Sequence, residues 1–396
     1  MKNLKFIDFL KLRAEYGELG YQALTPTLFM YEDKWGVDNK GTAFGPHTNN
    51  QWFGSNTDNN IYRSTYNKLG NPDLNWETRK EFSVGLDALM LDRKLSVSVS
   101  YYNTLRTNEW VKPTNRYPLA IGLLATPYVN FNKTRYYGAE LSTKYTDKIG
   151  DFRYSIGAMA TLPRTERIQF DQPDYRNEYQ SRIGKPTDAY FGLVHQGRFS
   201  SDEEANKIPQ LFDEKLKAGD FKYADLNNDG VVDGNDMKQI GNTSPRLFYA
   251  LNINLAYKNI ELTIIGDGRS GFDIPLTSKY FHNGWGDNNY SKYLVENVGT
   301  DKLPRQTYYK VENNYQASTF WLKKGDYFKI QNIEIAYNLP LAASAFMGIR
   351  KARFFVRGAN LATISGIKDI DPESATSGID RYPLNRTFTG GVKLTF

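Results

Sequence analysis

The stretch at residues 82–102 constrains the fold most, because it alternates apolar and polar residues on both sides of a short break. Its second half places an apolar side chain at every second position from Leu95 to Tyr101, with serine between them. Successive side chains of a strand point to opposite faces, so each half has one apolar and one mostly polar face. Since only residues 91–93 join the halves, the stretch predicts an antiparallel hairpin.

The same alternation recurs along most of the chain and predicts about ten antiparallel amphipathic strands. The other predicted strands cover residues 9–20, 133–146, 151–162, the two halves of 246–267, 325–338, 352–362 and 385–396. Within 325–338 the apolar positions change phase, which predicts a β-bulge near Gln331 and Asn332. Residues 341–347 are a candidate short helix.

Alternation alone allows either half of a soluble sandwich or a membrane barrel whose apolar faces meet lipid. The lengths of the connections favour the barrel. Short turns near positions 91, 148 and 258 alternate with long polar connections at 21–72, 166–245 and 269–324. Strands of soluble sheets average about 5–6 residues, shorter than those predicted here. We therefore predict an all-β transmembrane barrel wall with short periplasmic turns and long extracellular loops.

The composition narrows the function further. The formal charge of +6 comes from cations and anions mixed along the chain, so no nucleic-acid footprint is predicted. The absence of cysteine excludes disulfides and thiolate metal sites. No apolar run reaches the roughly 18 residues of a transmembrane helix. Charged sequence follows Met1, which predicts that a signal peptide is absent from this chain.

An acidic segment at residues 225–236 has the spacing of an EF-hand loop, with Gly230 at the sixth position. The candidate Ca²⁺ ligands are Asp225, Asn227, Asp229, the Val231 carbonyl, Asp233 directly or through water, and Asp236. Asp236 is shorter than the usual bidentate glutamate at the twelfth position. The alternative is a loop rich in Asx turns that needs no metal. Either would order a loop and would not catalyse a reaction.

No pattern predicts an enzyme. His47, His195 and His282 fall in predicted connections, where we expect them to be solvated, and they lack metal-ligand spacing. The chain contains no phosphate-binding glycine loop and no nucleophile elbow. No catalytic residue is therefore assigned.

Three segments together resemble the SusC/RagA family of TonB-dependent outer-membrane transporters. They read NPDLNWETRKEFSVGLDALMLDRKLSVSVSYYNTLRTN, GKPTDAYFGLVHQGRFSSDEEANKI and AGDFKYADLNNDGVVDGNDMKQIGNTSPRLFYALNINLAYKNIELTIIGDG. The early strand FLKLRAEYGELG and the strand that ends in Phe396 are also similar to this family. The resemblance extends over essentially all of residues 1–396, and the order of the motifs is more specific than any one of them.

The resemblance implies that residues 1–396 are the C-terminal part of a barrel of about 22 strands. It implies import of oligosaccharides or peptides across the outer membrane, with a SusD-like surface lipoprotein as a lid. The plug, the segment that contacts TonB and the first half of the barrel are expected to lie outside this chain. A missing N-terminal half and outer-membrane lipid are then required partners, because open strand edges in lipid leave backbone groups unpaired.

The long loops would form the outer vestibule of such an importer. Candidate residues for contact with the substrate or the lid are Trp52, Phe53, Tyr190, Phe191, Trp285 and Tyr290. The alternative for these aromatic side chains is packing within the loops. The alternative for the whole chain is a soluble, β-rich, calcium-dependent carbohydrate-binding module.

Overall fold

The computed structural model of the chain describes most of its residues, with gaps mainly in the connections. The described residues are 6–21, 29–39, 51–53, 62–113, 126–207, 209–210, 212, 216–278, 280–282, 290–297, 299–305, 311–340, 348–368, 371–374, 382 and 384–396. The candidate helix at 341–347 lies outside them, as do His47 and Trp285.

The described residues contain nineteen strands, two short α-helices and three single-turn 3₁₀-helices. The strands are β1 (Ile7–Tyr21), β2 (Lys34–Asn39), β3 (Gln51–Phe53), β4 (Tyr62–Lys68), β5 (Glu77–Met90), β6 (Leu95–Val111), β7 (Val129–Ile149), β8 (Phe152–Gln169), β9 (Ala189–Gly192), β10 (His195–Arg198), β11 (Phe221–Tyr223), β12 (Lys238–Asn242), β13 (Leu247–Tyr257), β14 (Ile260–Ser270), β15 (Asp273–Pro275), β16 (Leu322–Lys324), β17 (Tyr327–Asn338), β18 (Lys351–Ser365) and β19 (Thr387–Thr395). The α-helices are α1 (Asp202–Ala205) and α2 (Lys292–Asn297), and the 3₁₀-helices are Glu178–Gln180, Gly234–Asp236 and Glu312–Tyr315. None of the helices in these ranges is long and apolar enough to cross a membrane.

Ten long strands form one antiparallel sheet, which confirms the prediction of an all-β fold. Their order is β1-β5-β6-β7-β8-β13-β14-β17-β18-β19, so each strand lies beside the next long strand of the chain. They run from 9 residues in β19 to 21 residues in β7. The other strands pair in small sheets within the connections, such as β2-β4-β3.

The two faces of the large sheet differ in polarity, as the alternation predicts. Residues directly opposite each other in a ladder share a face, and Ile253, Ile264 and Ile333 form one such apolar row across β13, β14 and β17. On this face Ile335 is 57% exposed, and its partner Val356 is 63% exposed. Large apolar side chains therefore cover a surface on which a soluble protein would place polar ones.

The opposite face carries ion pairs between neighbouring strands. Glu334 of β17 accepts from Arg353 of β18 at 2.6 Å and from Arg357 at 2.7 Å. Arg13 of β1 lies 3.0 Å from a carboxylate oxygen of Asp87 in β5. Because these charges satisfy one another across strands, the polar face is built from paired groups.

The hairpin turns are short, and their geometry explains the sequence. Leu91, Asp92 and Arg93 all have φ between 55° and 61°, so the predicted turn runs through left-handed backbone. The predicted turn at 147–150 is shorter than expected, because β7 continues to Ile149 and only Gly150 and Asp151 separate it from β8. Gly150 has φ of +59°, which glycine adopts without steric cost.

The predicted bulge is present in β17. Ile330 and Asn332 have ladder partners in both β14 and β18, whereas the register skips Gln331 on both sides. The extra residue restores the apolar phase, so Ile333 and Ile335 face the same side as the apolar residues of β14.

Candidate functional site

The largest hydrophobic core of the described residues lies in the long connections, outside the ten-stranded sheet. We call the described parts of residues 170–246 and 271–326 the loop subdomain. Its core consists of Leu193, Phe221, Tyr223, Val232, Phe272, Ile274, Leu276, Phe281, Leu294, Leu303 and Trp321, with Tyr327 at the start of β17. Two connections that are far apart in sequence therefore fold together as one packed unit at one end of the sheet.

A buried ion pair links the two connections. Asp220 is fully buried, and Arg305 donates to its two carboxylate oxygens at 3.0 and 2.8 Å. Asn314, also fully buried, donates to Asp220 at 2.8 Å and accepts from the Phe221 amide at 2.8 Å. A buried carboxylate is costly unless it is paired and hydrogen-bonded. Asp220 has a cation, Arg305, and a neutral hydrogen-bond donor, Asn314.

Backbone contacts reinforce this link at the end of β9. The Leu193 amide donates to the Ala317 carbonyl at 2.8 Å, and the Leu193 carbonyl accepts from Thr319 at 3.0 Å. A Cβ atom on Gly192 would lie 2.5 Å from the Ala317 carbonyl oxygen. Glycine at position 192 is therefore needed for the two connections to approach.

His195 corrects the expectation of solvated histidines. It lies in β10, with its ring centroid 4.6 Å from that of Phe221 and 5.0 Å from that of Phe320. Burial and then the nearby Arg198 charge lower the pKa of His195. His282 also packs on aromatic rings, with its centroid 4.3 Å from Trp321. Both histidines contribute to the aromatic core, which the spacing of histidines in the sequence did not indicate.

The acidic segment forms a compact loop whose carboxylates accept hydrogen bonds from its own amides. Asp225 accepts from Asn228 at 2.7 Å and from Gly230 at 2.9 Å. Asp236 is fully buried and accepts from the Leu226 amide at 2.7 Å and the Asp233 amide at 2.9 Å. Asn227, Asp229 and Asp233 each accept from an amide two residues further on.

This arrangement matches the alternative of a loop ordered by Asx turns. In the described part of the chain, no group of three or more His, Cys, Asp or Glu residues is arranged to hold a metal ion. The donor set of the loop is all oxygen, which suits a hard cation such as Ca²⁺. A bound ion would have to share the carboxylates with the amides, so calcium binding stays a prediction.

The predicted contact residues lie in different places. Tyr190 and Phe191 are both partly buried in β9, where burial raises the pKa of Tyr190 and the Arg182 guanidinium covers the Phe191 ring at 5.0 Å. Tyr290 precedes α2 and is 59% exposed. Trp52 and Phe53 belong to β3, and Trp285 lies outside the described residues. Contact of these six aromatic residues with substrate or lid stays a prediction.

A cavity of about 670 Å³ lies where the loop subdomain meets residues 366–368, which follow β18. Its lining includes the aromatic residues Phe281, Tyr293, Phe320 and Trp321 and the lysines Lys302, Lys323, Lys324 and Lys368. This cavity could not be predicted from the sequence, because its walls come from four separate segments. The Lys323-Lys324 pair beside Trp321 was the only local signal.

The segment that follows residues 366–368 is held by a buried lysine. Lys329 of β17 is 2% exposed, and its Nζ lies 2.7 Å from Glu373 and 3.2 Å from Asp371. Tyr327 also donates to Glu373 at 2.7 Å. Burial raises the pKa of the Glu373 carboxyl, but the hydrogen bonds from Lys329 and Tyr327 outweigh it, and the net shift is downward. The wall of the cavity near 366–368 is therefore tied to the sheet.

Comparison with known proteins identifies related chains of much greater length. No family model matches the chain. TonB-dependent receptor P26 of Formosa agariphila is 24% identical over 435 residues, which cover 100% of this chain and 41% of the relative. TonB-dependent receptor SusC of Bacteroides thetaiotaomicron is 22% identical over 414 residues, covering 100% of this chain and 38% of the relative. The chain thus spans about two fifths of the curated relatives it matches.

Solved structures agree with this match. A chain of the RagAB peptide importer in its open-open state has a TM-score of 0.72 at 20% identity, covering 99% of this chain and 40% of that chain. The closed-closed state gives a TM-score of 0.70. The fold is that of about two fifths of such an importer chain. The chain fits the C-terminal portion of a SusC/RagA-type transporter, as the resemblance of its motifs predicted.

Proposed function

We propose that this chain is the C-terminal barrel wall of an outer-membrane importer that takes up oligosaccharides or peptides. The similarity to TonB-dependent receptors over the whole chain is the observation that carries the proposal. Energy would reach the importer through TonB, which would contact a segment N-terminal to this chain. A SusD-like surface lipoprotein would cover the loop subdomain as a lid.

The polarity of the sheet supports integration into the outer membrane. Its exposed apolar face would meet lipid, and the face with the ion pairs would meet the lumen. Among the described strands, β1 and β19 each pair along one edge only. Unpaired backbone groups are costly in lipid, so these edges would pair with the N-terminal half of the barrel.

The aromatic residues of the connections would contact substrate or lid in this importer. Tyr190, Phe191 and Tyr290 lie in or beside the loop subdomain, which supports this role for them. Trp52, Phe53 and Trp285 are proposed on the sequence alone. No residue is proposed to break or form a covalent bond.

Deleting the gene from its host and restoring it on a plasmid tests the import function. We expect the deletion strain to lose uptake of one group of oligosaccharides or peptides, and the restored gene to recover it. Loss of the gene without any change in uptake across both substrate classes would contradict the proposal. Copurification of a surface lipoprotein with the restored protein tests the lid.

A soluble calcium-dependent carbohydrate-binding module remains the alternative, and cell fractionation separates the two. An importer requires detergent for extraction from the outer membrane. The module would appear in the soluble fraction. The exposed apolar side chains at Ile335 and Val356 favour the membrane location.

Calcium is proposed as a structural ion of the loop at 225–236. We expect Ca²⁺ to slow amide hydrogen exchange within this loop, and Asp229→Ala to weaken the effect. Asp301→Ala is the control, since Asp301 lies outside the loop. Equal exchange in Ca²⁺ and in chelator would mean that the amide hydrogen bonds alone order the loop.

A further inference from the structure

The cavity of about 670 Å³ at residues 366–368 carries an uneven distribution of charge. Four lysines line it, whereas Asp301 is its single lining carboxylate among the described residues. Of the four, Lys324 is neutralised by Asp273, whose carboxylate oxygen lies 2.8 Å from Nζ. The lining therefore has three further lysines, Lys302, Lys323 and Lys368, and one carboxylate, Asp301.

The other three lysines have no carboxylate partner in the described part of the chain. Lys323 instead lies 5.7 Å from the centroid of the Phe320 ring. Some other cations of the loop subdomain are paired, as Arg246 is with Asp188 at 3.1 Å and Lys222 with Glu204 at 2.8 Å. Three lysines beside one carboxylate give the described lining of the cavity a net positive charge, which attracts an anionic ligand.

The aromatic wall behind these lysines is fixed before any ligand binds. Trp321 is 3% exposed, and its indole N–H donates to the Asn314 carbonyl at 2.8 Å. Its carbonyl accepts from the Leu276 amide at 2.8 Å. Tyr293 and Phe320 are only partly buried and present aromatic surface to the cavity. A preformed wall lowers the ordering cost of binding.

We propose that this cavity binds the acidic groups of a short anionic oligosaccharide, either uronate carboxylates or sulfate esters. The proposal rests on the proposed import function and names the class of substrate. Lysine is a point charge with three donors, which suits such groups in varied orientations. The volume falls within the range of about 300–1,000 Å³ that is typical of small-ligand sites.

The balance of donors and acceptors favours a sugar over a peptide. A peptide backbone brings as many N–H donors as C=O acceptors. At this cavity only Asp301 supplies a side-chain carboxylate for such donors among the described residues. An acidic sugar adds acceptors for the ammonium groups and flat apolar ring faces for the aromatic wall.

Calorimetry on the complete gene product, purified in detergent, tests the proposal. The probes are trigalacturonate, a sulfated trisaccharide, maltotriose and triglutamate. We expect an acidic trisaccharide to bind at least about tenfold more tightly than maltotriose at low salt, and the difference to shrink as salt rises. The double variant Lys323→Gln/Lys368→Gln should lose most of that difference.

Lys292→Gln is the matched control, because Lys292 lies on α2 with a 79% exposed side chain and does not line the cavity. It should bind the acidic trisaccharide like the wild type. Equal binding of maltotriose would overturn the proposal, as would tighter binding of triglutamate than of either acidic sugar. An equal loss in Lys292→Gln would also overturn it, since the effect would then be nonspecific.

Uptake in the restored strain separates this proposal from the import function. If oligomers enter but Lys323→Gln/Lys368→Gln leaves uptake of acidic sugars unchanged, the cavity assignment fails and the import function stands. If no oligomer enters through the wild-type protein, the import function fails. In that case the calorimetry alone tests whether the cavity binds acidic sugars.

Discussion

The ten-stranded sheet and the loop subdomain bury opposite kinds of side chains. In the sheet, Ile335 and Val356 are exposed, whereas Lys329 and Glu334 are buried. In the loop subdomain, Phe221 and Phe281 are almost completely buried. The sheet thus has the polarity expected for apolar surroundings, and the loop subdomain has the polarity of a protein core in water.

The two regions also differ in where their stability arises. The sheet is held by extended backbone ladders that depend on no single side chain, and these ladders also join strands across long connections, as between β8 and β13. The loop subdomain depends on contacts between distant segments, such as Asp220 and Arg305, which are 85 residues apart. A single substitution should therefore unfold the subdomain while the sheet remains intact.

The largest expected effect comes from Asp220→Ala. Removing one partner of a buried ion pair costs up to about 3–5 kcal/mol, because the partly buried Arg305 and the buried Asn314 amide would both lose their acceptor. We expect amide hydrogen exchange to accelerate throughout the loop subdomain and to stay slow in β13 and β14. Asp301→Ala, at an exposed carboxylate of the same subdomain, is the control. Equal acceleration in the sheet would show that the two regions unfold together.

The second effect distinguishes the faces of the sheet. Ile335→Lys places a charge on the apolar face, where a lysine costs up to about 2–4 kcal/mol, depending on its depth in the bilayer. Asn252→Lys places the same charge on the polar face of β13. We expect Ile335→Lys to reduce the amount of folded protein in the outer membrane and Asn252→Lys to leave it near the wild-type level. The reverse result would show that lipid meets the face with Asn252 and that the proposed orientation of the sheet is wrong.

A third, smaller effect concerns the pH dependence of the loop subdomain. Burial lowers the pKa of His195, so the folded state favours the neutral imidazole. The resulting stability is complete above the ordinary pKa of about 6.5 and is lost as pH falls through the lowered folded value. We expect the protection factors of amides in the subdomain, which correct for the pH dependence of intrinsic exchange, to fall as pH decreases from 7.5 to 5 in the wild type (roughly the range in which histidine titrates).

His195→Phe should remove that pH dependence, since phenylalanine fits the aromatic surroundings and carries no titrating group. Glu204 does not confound the comparison, because Lys222 and Ser200 lower its pKa to about 2 and it stays ionised throughout. If exchange in His195→Phe depends on pH as strongly as in the wild type, another titrating group causes the pH dependence.

The sheet was predictable from the sequence because its determinants are local. The alternation of apolar and polar residues predicted the long strands, and the change of phase within residues 325–338 predicted the bulge at Gln331. The core of the loop subdomain was not predictable in this way. Phe221 and Trp321 lie in polar, glycine-rich sequence without periodicity, and only the long-range contacts of Asp220 and Leu193 bring them together. The histidine environment and the lysine-lined cavity follow from the same contacts.

The smallest expected effect comes from Arg13→Ala. This substitution breaks an ion pair of the sheet that is chemically similar to the pair of Asp220 and Arg305 in the loop subdomain. Arg13 and Asp87 pair at 3.0 Å on the polar face of the sheet, but their side chains are 36% and 33% exposed, whereas Asp220 is fully buried. An exposed pair contributes about 0.2–1 kcal/mol, because water solvates both charges when the pair breaks. After Arg13→Ala, Asp87 also keeps the hydrogen bond from Ser98 at 2.7 Å. We expect the urea midpoint of the sheet in Arg13→Ala to stay close to that of the wild type. A loss as large as that of Asp220→Ala would mean that the polar face is as dry as the subdomain core, and the lumen assigned to that face would be incorrect.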